Sequence, residues 1–235
     1  MSVALDANAT APTSTLAGNS LTNGNLTIGS GANALVVQLW VSGTTISVTG
    51  VVWDQAGANQ AMTLIGSQVN LGGNGFVQLW GLVAPVSGNK IITASWTGTT
   101  STAGLNGTSF SGVETAGGTS SFARFNSATG TSTAPSVGVS SNVGNIVVDA
   151  LATGPNVTTP VANSTQLFSA DLSASFDFAS QYQIAANGVN TMSWTLAASM
   201  GWDIVACDVV ASVSPAPMGA ESASGGIVGR NYWRT

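Results

Sequence analysis

The sequence predicts an all-β protein, an antiparallel jelly-roll-like β-sandwich that forms a single domain. Apolar residues come in runs of about four to eight, which is the length of buried strands. Clusters of Gly, Asn, Ser and Thr separate these runs at short intervals, as they do in sandwiches and barrels. No segment keeps the apolar period of about 3.6 residues that is typical of a capped helix. A chain of 235 residues can form such a domain without disulfides or metal ions.

Taken in order, the apolar runs predict strands that alternate with turns. The predicted strands cover 34–41, 45–52, 61–65, 75–83, 90–96, 108–113, 136–140, 145–151, 166–169, 176–184, 191–196 and 202–213. Asn-Gly and Gly-Asn pairs predict tight turns, because these residues adopt positive φ easily. Such turns are expected at 23–24, 73–75, 88–89 and 187–188. The sandwich is therefore expected to span residues 1–213.

Two short segments occur twice in the chain. Val-Gln-Leu-Trp stands at 37–40 and again at 77–80, and Ser-Trp-Thr stands at 95–97 and 193–195. We expect the first pair to form neighbouring or symmetry-related strands, and the second pair to be matching return strands of two Greek keys. Segments this short do not by themselves divide the chain into two domains.

Residues 214–235 differ from the rest of the chain. They form a Pro/Gly/Ser-rich linker and a C-terminal tail that holds two of the four basic residues. A terminal segment of this kind stays ordered only when it is tied down. We therefore expect the tail to be an intersubunit anchor whose contact residues are Arg230, Tyr232, Trp233 and Arg234.

Charged residues make up only 6% of the chain, against about 25% in a typical domain. A surface with so few charges favours association with other proteins. Four basic residues cannot form the positive surface that nucleic acid requires. The mean hydropathy is +0.33, yet no apolar run approaches the roughly 20 residues of a membrane-spanning helix. We therefore expect neither nucleic-acid nor membrane binding.

The residue inventory argues against an enzyme and against a cofactor or metal site. The chain has no histidine and a single cysteine, Cys207, which shares a strand face with valines and is expected to be buried and inert. The nine acids form no close pair typical of carboxylate catalysis. Lys90 adjoins a predicted turn and is expected to be exposed. The segment 171–177 leaves calcium open as an alternative to a solvated loop, although it does not match an EF-hand.

The tryptophans suggest both core positions and a contact surface. Trp96 and Trp194 share strand faces with apolar residues and are expected in the core. The candidate interface residues lie on the two repeated strands, each tryptophan on the same side as its glutamine: Gln38 with Trp40, and Gln78 with Trp80. If the leucine side of these strands faces the core, the Trp-Gln side faces outward and forms an aromatic contact patch. The alternative is a sheet that is buried on both faces.

Several strand-like motifs together resemble a family of jelly-roll-like modules found in bacterial surface proteins and phage structural proteins, including capsid decoration and fibre proteins. The resemblance covers about residues 20–213 and rests on Trp53 with 61–63, 77–82, 91–96, 107–113, 145–153, 192–196 and Trp202. These motifs imply a fold and carry no catalytic signature. Residues 114–118 depart from the Asp-Gln-Thr-Thr-like turn that relatives often have, so no function is carried over for that loop.

The resemblance and the composition together suggest a virion structural protein. We expect a capsid decoration or cement protein, a homotrimer that binds the major capsid protein and stabilises the phage shell. Residues 1–6 have neither the basic nor the apolar part of a secretory signal, so the protein is expected on the virion surface after synthesis in the host cytoplasm. The alternatives are an extracellular carbohydrate-binding or adhesive module, and a subunit of an extracellular filament.

Overall fold

The computed structural model describes residues 1–9, 13–15, 18–43, 45–70, 75–100, 102–154, 159–173 and 176–213. Most of this backbone forms antiparallel strands in packed sheets, which confirms the predicted all-β sandwich. A short 3-10 helix, Gly118–Ser121, separates two groups of strands. We call the first group sandwich I (residues 1–113) and the second sandwich II (residues 118–213). The predicted tail, 214–235, lies outside the described residues.

Sandwich I consists of an inner and an outer sheet. Its strands are β1 (Ala4–Asn8), β2 (Thr13–Thr15), β3 (Gly18–Ile28), β4 (Ala32–Ser42), β5 (Ser47–Trp53), β6 (Gln60–Ala61), β7 (Thr63–Asn70), β8 (Gly75–Val83), β9 (Gly88–Thr100) and β10 (Ala103–Ser111). The inner sheet has the order β1-β10-β4-β8-β7, and β2 also pairs with β10. The outer sheet has the order β3-β9-β5-β6.

Sandwich II has the same two-sheet construction. Its strands are β11 (Phe122–Ser132), β12 (Ser136–Ser141), β13 (Ile146–Thr153), β14 (Val161–Ala162), β15 (Thr165–Ser173), β16 (Phe176–Ile184), β17 (Gly188–Thr195) and β18 (Met200–Val209). The inner sheet has the order β11-β18-β13-β16-β15, and the outer sheet has the order β12-β17-β14.

The two sandwiches share one topology, so the fold is a tandem pair of jelly rolls. In the inner sheets, the order β11-β18-β13-β16-β15 of sandwich II corresponds strand by strand to β1-β10-β4-β8-β7 of sandwich I. In the outer sheets, β12-β17-β14 corresponds to β3-β9-β5. Ser-Trp-Thr lies on the matching strands β9 and β17, and Val-Gln-Leu-Trp lies on the neighbouring strands β4 and β8. Both expectations for the repeated segments are confirmed.

The matching ends of the sandwiches meet in a seam. Val113, just past β10, pairs with Ala211, just past β18. Two backbone hydrogen bonds of 2.8 Å close this bridge, from Glu114 N to Val210 O and from Ser212 N to Gly112 O. Each seam segment is held by an asparagine at the beginning of the central strand of its own sandwich, Asn33 within the first residues of β4 and Asn145 just before β13. Asn33 bonds both backbone groups of Val113, and the Asn145 side chain accepts a bond from Ala211 N.

Three apolar cores separate the four sheets. One lies between the sheets of sandwich I, one between the sheets of sandwich II, and a central core lies between the two inner sheets and draws residues from both sandwiches. On β4, Val37 and Leu39 face the core of sandwich I, whereas Val36 and Trp40 face the central core. Inner strands buried on both faces explain the continuous apolar runs in the sequence.

Some strands were not predicted from the sequence, and one predicted turn is wrong. β3 and β11 are rich in Gly, Ser, Thr and Asn and have one exposed face, so they lack an apolar run. The Asn23-Gly24 pair forms no hairpin turn, because it lies within β3 where the pairing with β9 shifts between Asn23 and Leu26. At the predicted 187–188 turn, Gly188 has φ of 97°, and Gly73 and Asn74 lie outside the described residues.

Candidate functional site

The four predicted interface residues on the repeated strands do not form an outward patch. Trp40, Gln38 and Gln78 are buried, and Trp80 is half-buried. The outward orientation was wrong because both faces of the inner sheet are covered. Sandwich II covers the face that carries Gln38 and Trp40, and Trp80 packs on the opposite face against the core of sandwich I. Trp40 packs against Phe176 of sandwich II, with ring centroids 4.7 Å apart. The alternative of a sheet buried on both faces is what the structure has.

The glutamines serve as internal hydrogen-bonding groups. Gln38 Nε2 donates to Thr108 Oγ1 at 3.4 Å, and Trp80 Nε1 donates to Gln78 Oε1 at 2.9 Å. Their amides therefore satisfy polar groups between sheets rather than contact a partner. The four tail residues of the predicted interface, Arg230, Tyr232, Trp233 and Arg234, lie outside the described residues.

The expected core residues are buried. Trp96 lies in the core of sandwich I, Trp194 lies in that of sandwich II, and Cys207 lies in the central core. Burial and the negative charge of neighbouring Asp208 raise the pKa of the Cys207 thiol, which keeps it protonated and unreactive. Lys90, expected to be exposed, is instead half-buried beside Asp54.

A buried carboxyl group lies at the centre of sandwich II. Asp149 on β13 accepts hydrogen bonds from the Gln181 backbone N–H (3.0 Å), the Gln181 amide (2.9 Å) and the Trp194 indole N–H (2.9 Å). Burial raises the pKa of Asp149 to about 7, although these hydrogen bonds act in the opposite direction. The group links β13, β16 and β17, and therefore the two sheets of the sandwich.

Two further acids are buried on β18. Asp208 accepts hydrogen bonds from Arg124 (2.6 Å), Ser141 and Asn145 (2.8 Å). Asp203 is 1% exposed, and neither of its carboxyl oxygens has a hydrogen-bond partner. Burial without a partner raises the pKa of Asp203 to about 7.

Asp149 and Asp203 are not arranged as a catalytic pair. On β13 and β18, Asp149 faces the core of sandwich II, whereas Asp203 shares its strand face with Val205 and Cys207 towards the central core. The two groups therefore lie on opposite faces of one sheet. Among the described residues, no group of three or more acids and cysteines is placed to hold a metal ion.

One end of sandwich II carries a set of exposed aliphatic side chains, which we call the apolar pole. Its members are Met1, Val143, Ile184, Val189 and Val213, which are 70–81% exposed. Hydrogen bonds bring their segments together, from Met1 N to Ser212 O (3.0 Å), Val3 N to Gly144 O (2.7 Å), Val143 N to Asn187 Oδ1 (3.0 Å) and Ala185 N to Asn145 O (3.0 Å). Aliphatic side chains gathered at one end are typical of an interaction surface.

The outer sheet of sandwich I carries a different feature, a cleft of about 520 Å³. Thr22 on β3 and Thr93 on β9 are cross-strand partners in its lining. The remaining lining comes from residues 54–56, in the loop after β5, and residues 89–91 of β9. The cleft therefore combines hydroxyl, amide, carboxylate and ammonium groups with one exposed aliphatic side chain, Ile91.

An ion pair sets the electrostatics of the cleft. Lys90 Nζ lies 3.4 Å from Asp54 Oδ2, and the same oxygen accepts a hydrogen bond from Ala58 N at 2.9 Å. The Ala58 N–H and then Lys90 lower the pKa of Asp54, while burial opposes them. The carboxylate therefore stays ionised at neutral pH, and its charge is balanced by the adjacent ammonium group.

No family model, curated protein or solved structure matches this chain. Its class as a double jelly-roll protein therefore rests on its own strand order, and the resemblance to phage and bacterial surface modules stays a prediction. No helix in the described ranges has the length and apolar character needed to cross a membrane.

Proposed function

We propose that this chain is a virion structural protein, a capsid decoration protein that binds a phage shell through the apolar pole and acts without catalysis. The observation that carries the proposal is the pole itself, where five large aliphatic side chains stay exposed at one end of an otherwise Ser- and Thr-rich surface. Fully burying an aliphatic side chain of this size contributes about 1.5–3 kcal/mol. The pole therefore favours a protein partner over solvent.

The size of the pole also supports the proposed homotrimer. Association costs about 4–15 kcal/mol in lost freedom of motion, so five aliphatic side chains on one subunit give weak binding. Three poles on one trimer attach together, and their combined attachment is much stronger than each alone. A protein that binds the assembled shell and not its dissociated subunits stabilises the shell by mass action.

The scaffold supports a passive role. Two jelly rolls fused through a shared core form a stiff body, and the surface has few charges to repel a neighbour. Two of the buried acids, Asp149 and Asp208, are engaged by neighbouring side chains within the fold. On this proposal the protein lies on the virion surface and its partner is the major capsid protein.

The test uses substitutions that change the pole and leave the cores intact. Ile184→Ser and Val189→Ser each remove an aliphatic group from the pole. Val161→Ser on β14 is the matched control because Val161 is also an exposed valine (58%). Light scattering after gel filtration should show a trimer for the wild-type chain, the pole variants and the control. Loss of cosedimentation with particles from the native source by the pole variants alone supports the proposal.

Electron microscopy of the native source material, with antibody labelling, locates the partner. Label on icosahedral particles supports the virion proposal. Label on filaments would instead identify a filament subunit. A strict monomer at high concentration, with no label on particles, overturns the proposal.

A further inference from the structure

The cleft on sandwich I lies at the connection whose length differs most between the two jelly rolls. The connection from β4 to β7 takes residues 43–62, whereas the matching connection from β13 to β15 takes only residues 154–164. The extra length lets β5 extend to Trp53 and adds the loop at 54–59, which forms one wall of the cleft. The two sandwiches are otherwise similar, but only the outer face of sandwich I carries this additional loop as a wall.

We propose that this cleft binds a neutral sugar, a single pyranose unit of a glycan. Its volume of about 520 Å³ lies within the range of roughly 300–1,000 Å³ that is typical of small-molecule sites. The amide side chains of Gln55 and Asn89 both donate and accept hydrogen bonds, and so do the hydroxyls of Thr22 and Thr93. Sugar hydroxyls have the same dual character, so these groups can pair with the hydroxyls of a sugar ring.

The charge balance of the cleft selects against ionic ligands. Lys90 and Asp54 face each other across 3.4 Å, so the lining carries no net charge for an anion or a cation to complement. Both groups nonetheless have hydrogen-bonding capacity beyond their mutual contact, because an ammonium has three donors and a carboxylate about four acceptor positions. A neutral polyhydroxylated ligand can use this capacity without breaking the pair.

The aliphatic part of the lining suits the less polar face of a sugar ring. Ile91 is 49% exposed on β9, in the cleft lining. A Cβ added at Gly24 on β3 would come within 3.6 Å of Ile91 Cγ1. Because Gly24 has no side chain, this side of Ile91 stays uncovered, and the C–H face of a pyranose can pack against the isoleucine.

The wall of the cleft is fixed before any ligand arrives. Asp54 adopts positive φ (53°), its backbone N–H donates to Ile91 O at 2.9 Å, and its carbonyl accepts bonds from Gly57 N (3.0 Å) and Asn59 N (2.7 Å). A preformed wall lowers the ordering cost of binding. The cleft shares no residue with the apolar pole. The sugar-binding inference is therefore independent of the proposed virion role, and either one can fail without the other.

The test is an NMR titration of the full chain with methyl α-mannopyranoside, methyl β-glucopyranoside and methyl β-galactopyranoside. We expect at least one glycoside to shift the amide signals of 22, 54–56 and 89–93, with a Kd on the order of 1 mM, as for a shallow single-sugar site. Sodium glucuronate and glucosamine hydrochloride, which are charged, should cause smaller shifts.

Matched variants separate the cleft from the rest of the surface. Asp54→Asn keeps the positive φ accessible and should weaken glycoside binding about tenfold. Gln55→Ala, in the exposed loop, gives a second test if Asp54→Asn fails to fold. Thr93→Ala should weaken binding, whereas Thr191→Ala on the outer face of β17 should not. No shifts with any of the three glycosides, or equal shifts on both outer sheets, overturn the inference.

Discussion

The two sandwiches share a strand order but stabilise their interiors differently. In sandwich I, the fourth residue after Asn33 is Val37, which packs in an apolar core. In sandwich II, the fourth residue after Asn145 is Asp149, which is hydrogen-bonded to Gln181 and Trp194. This jelly roll therefore requires a burial pattern and a set of strand pairs, and accepts either an apolar or a hydrogen-bonded polar residue at its centre.

The largest effect on stability is expected when Asp149 of sandwich II is replaced by valine, the residue at the matching position of sandwich I. Asp149→Val leaves the Trp194 indole N–H and the Gln181 backbone N–H without their buried acceptor, because the surrounding residues have not changed with it. We expect a loss of about 3–5 kcal/mol in the free energy of unfolding. Urea denaturation measures it.

A milder variant checks this interpretation. Asp149→Asn keeps an acceptor oxygen and should lose clearly less than Asp149→Val. If both variants are as stable as the wild type, the polar centre contributes nothing and the contrast between the sandwiches fails.

A second effect concerns pH, and it comes from Asp203. The pKa of this acid is raised from its ordinary 3.8 to about 7 in the folded protein because it is buried without a hydrogen-bond partner. Between these values the folded state holds a proton that the unfolded state has released. Stability therefore falls as the pH rises from about 4 and levels off above about 7.

Asp203→Asn should remove this contribution and be more stable than the wild type by about 2 kcal/mol at pH 8, with little difference at pH 4. Thermal unfolding across this pH range is the measurement. Asp149, whose pKa is also raised to about 7, remains in both proteins and cancels in the comparison. A pH-independent difference would contradict the assignment to Asp203.

The smallest effect compares the asparagines that hold the two seam segments. Asn33→Ala removes bonds of 2.8 and 3.0 Å to the backbone of Val113 and should cost about 1 kcal/mol. Asn145→Ala should cost about 2 kcal/mol, because Asn145 also donates to the buried carboxylate of Asp208. If both variants lose the same stability, the hydrogen bond from Asn145 to Asp208 adds nothing to the contribution of the seam.

The sequence was sufficient for the fold class and for the strands with apolar runs. The strand predicted at 176–184 has those bounds in the structure, and the burial of Trp96 and Trp194 follows from strand periodicity. It did not reveal the duplication, because matching positions share burial rather than residue type, as Val37 and Asp149 illustrate. Of the two segments that occur twice in the sequence, only Ser-Trp-Thr lies on matching strands, β9 and β17.

The orientation of Trp40 shows the limit of such reasoning. Alternation separates the two faces of β4 but does not say what covers the second face, which here is another part of the same chain, more than a hundred residues away. The cleft was not predicted either, since its lining comes from separate segments brought together by strand pairing. The turn signal at 88–89 marked one edge of it.

Met1 N lies 3.0 Å from Ser212 O, so residues 1 and 213 are close enough to be joined by a short linker. The order of the two jelly rolls along the sequence can therefore be exchanged. A chain reopened in the exposed segment 115–117 and joined by a short linker from residue 213 to residue 1 would begin with sandwich II and end with sandwich I. Every strand pair would survive this exchange. Such a permutant would present the junction itself at the apolar pole, as a ready attachment point for a label.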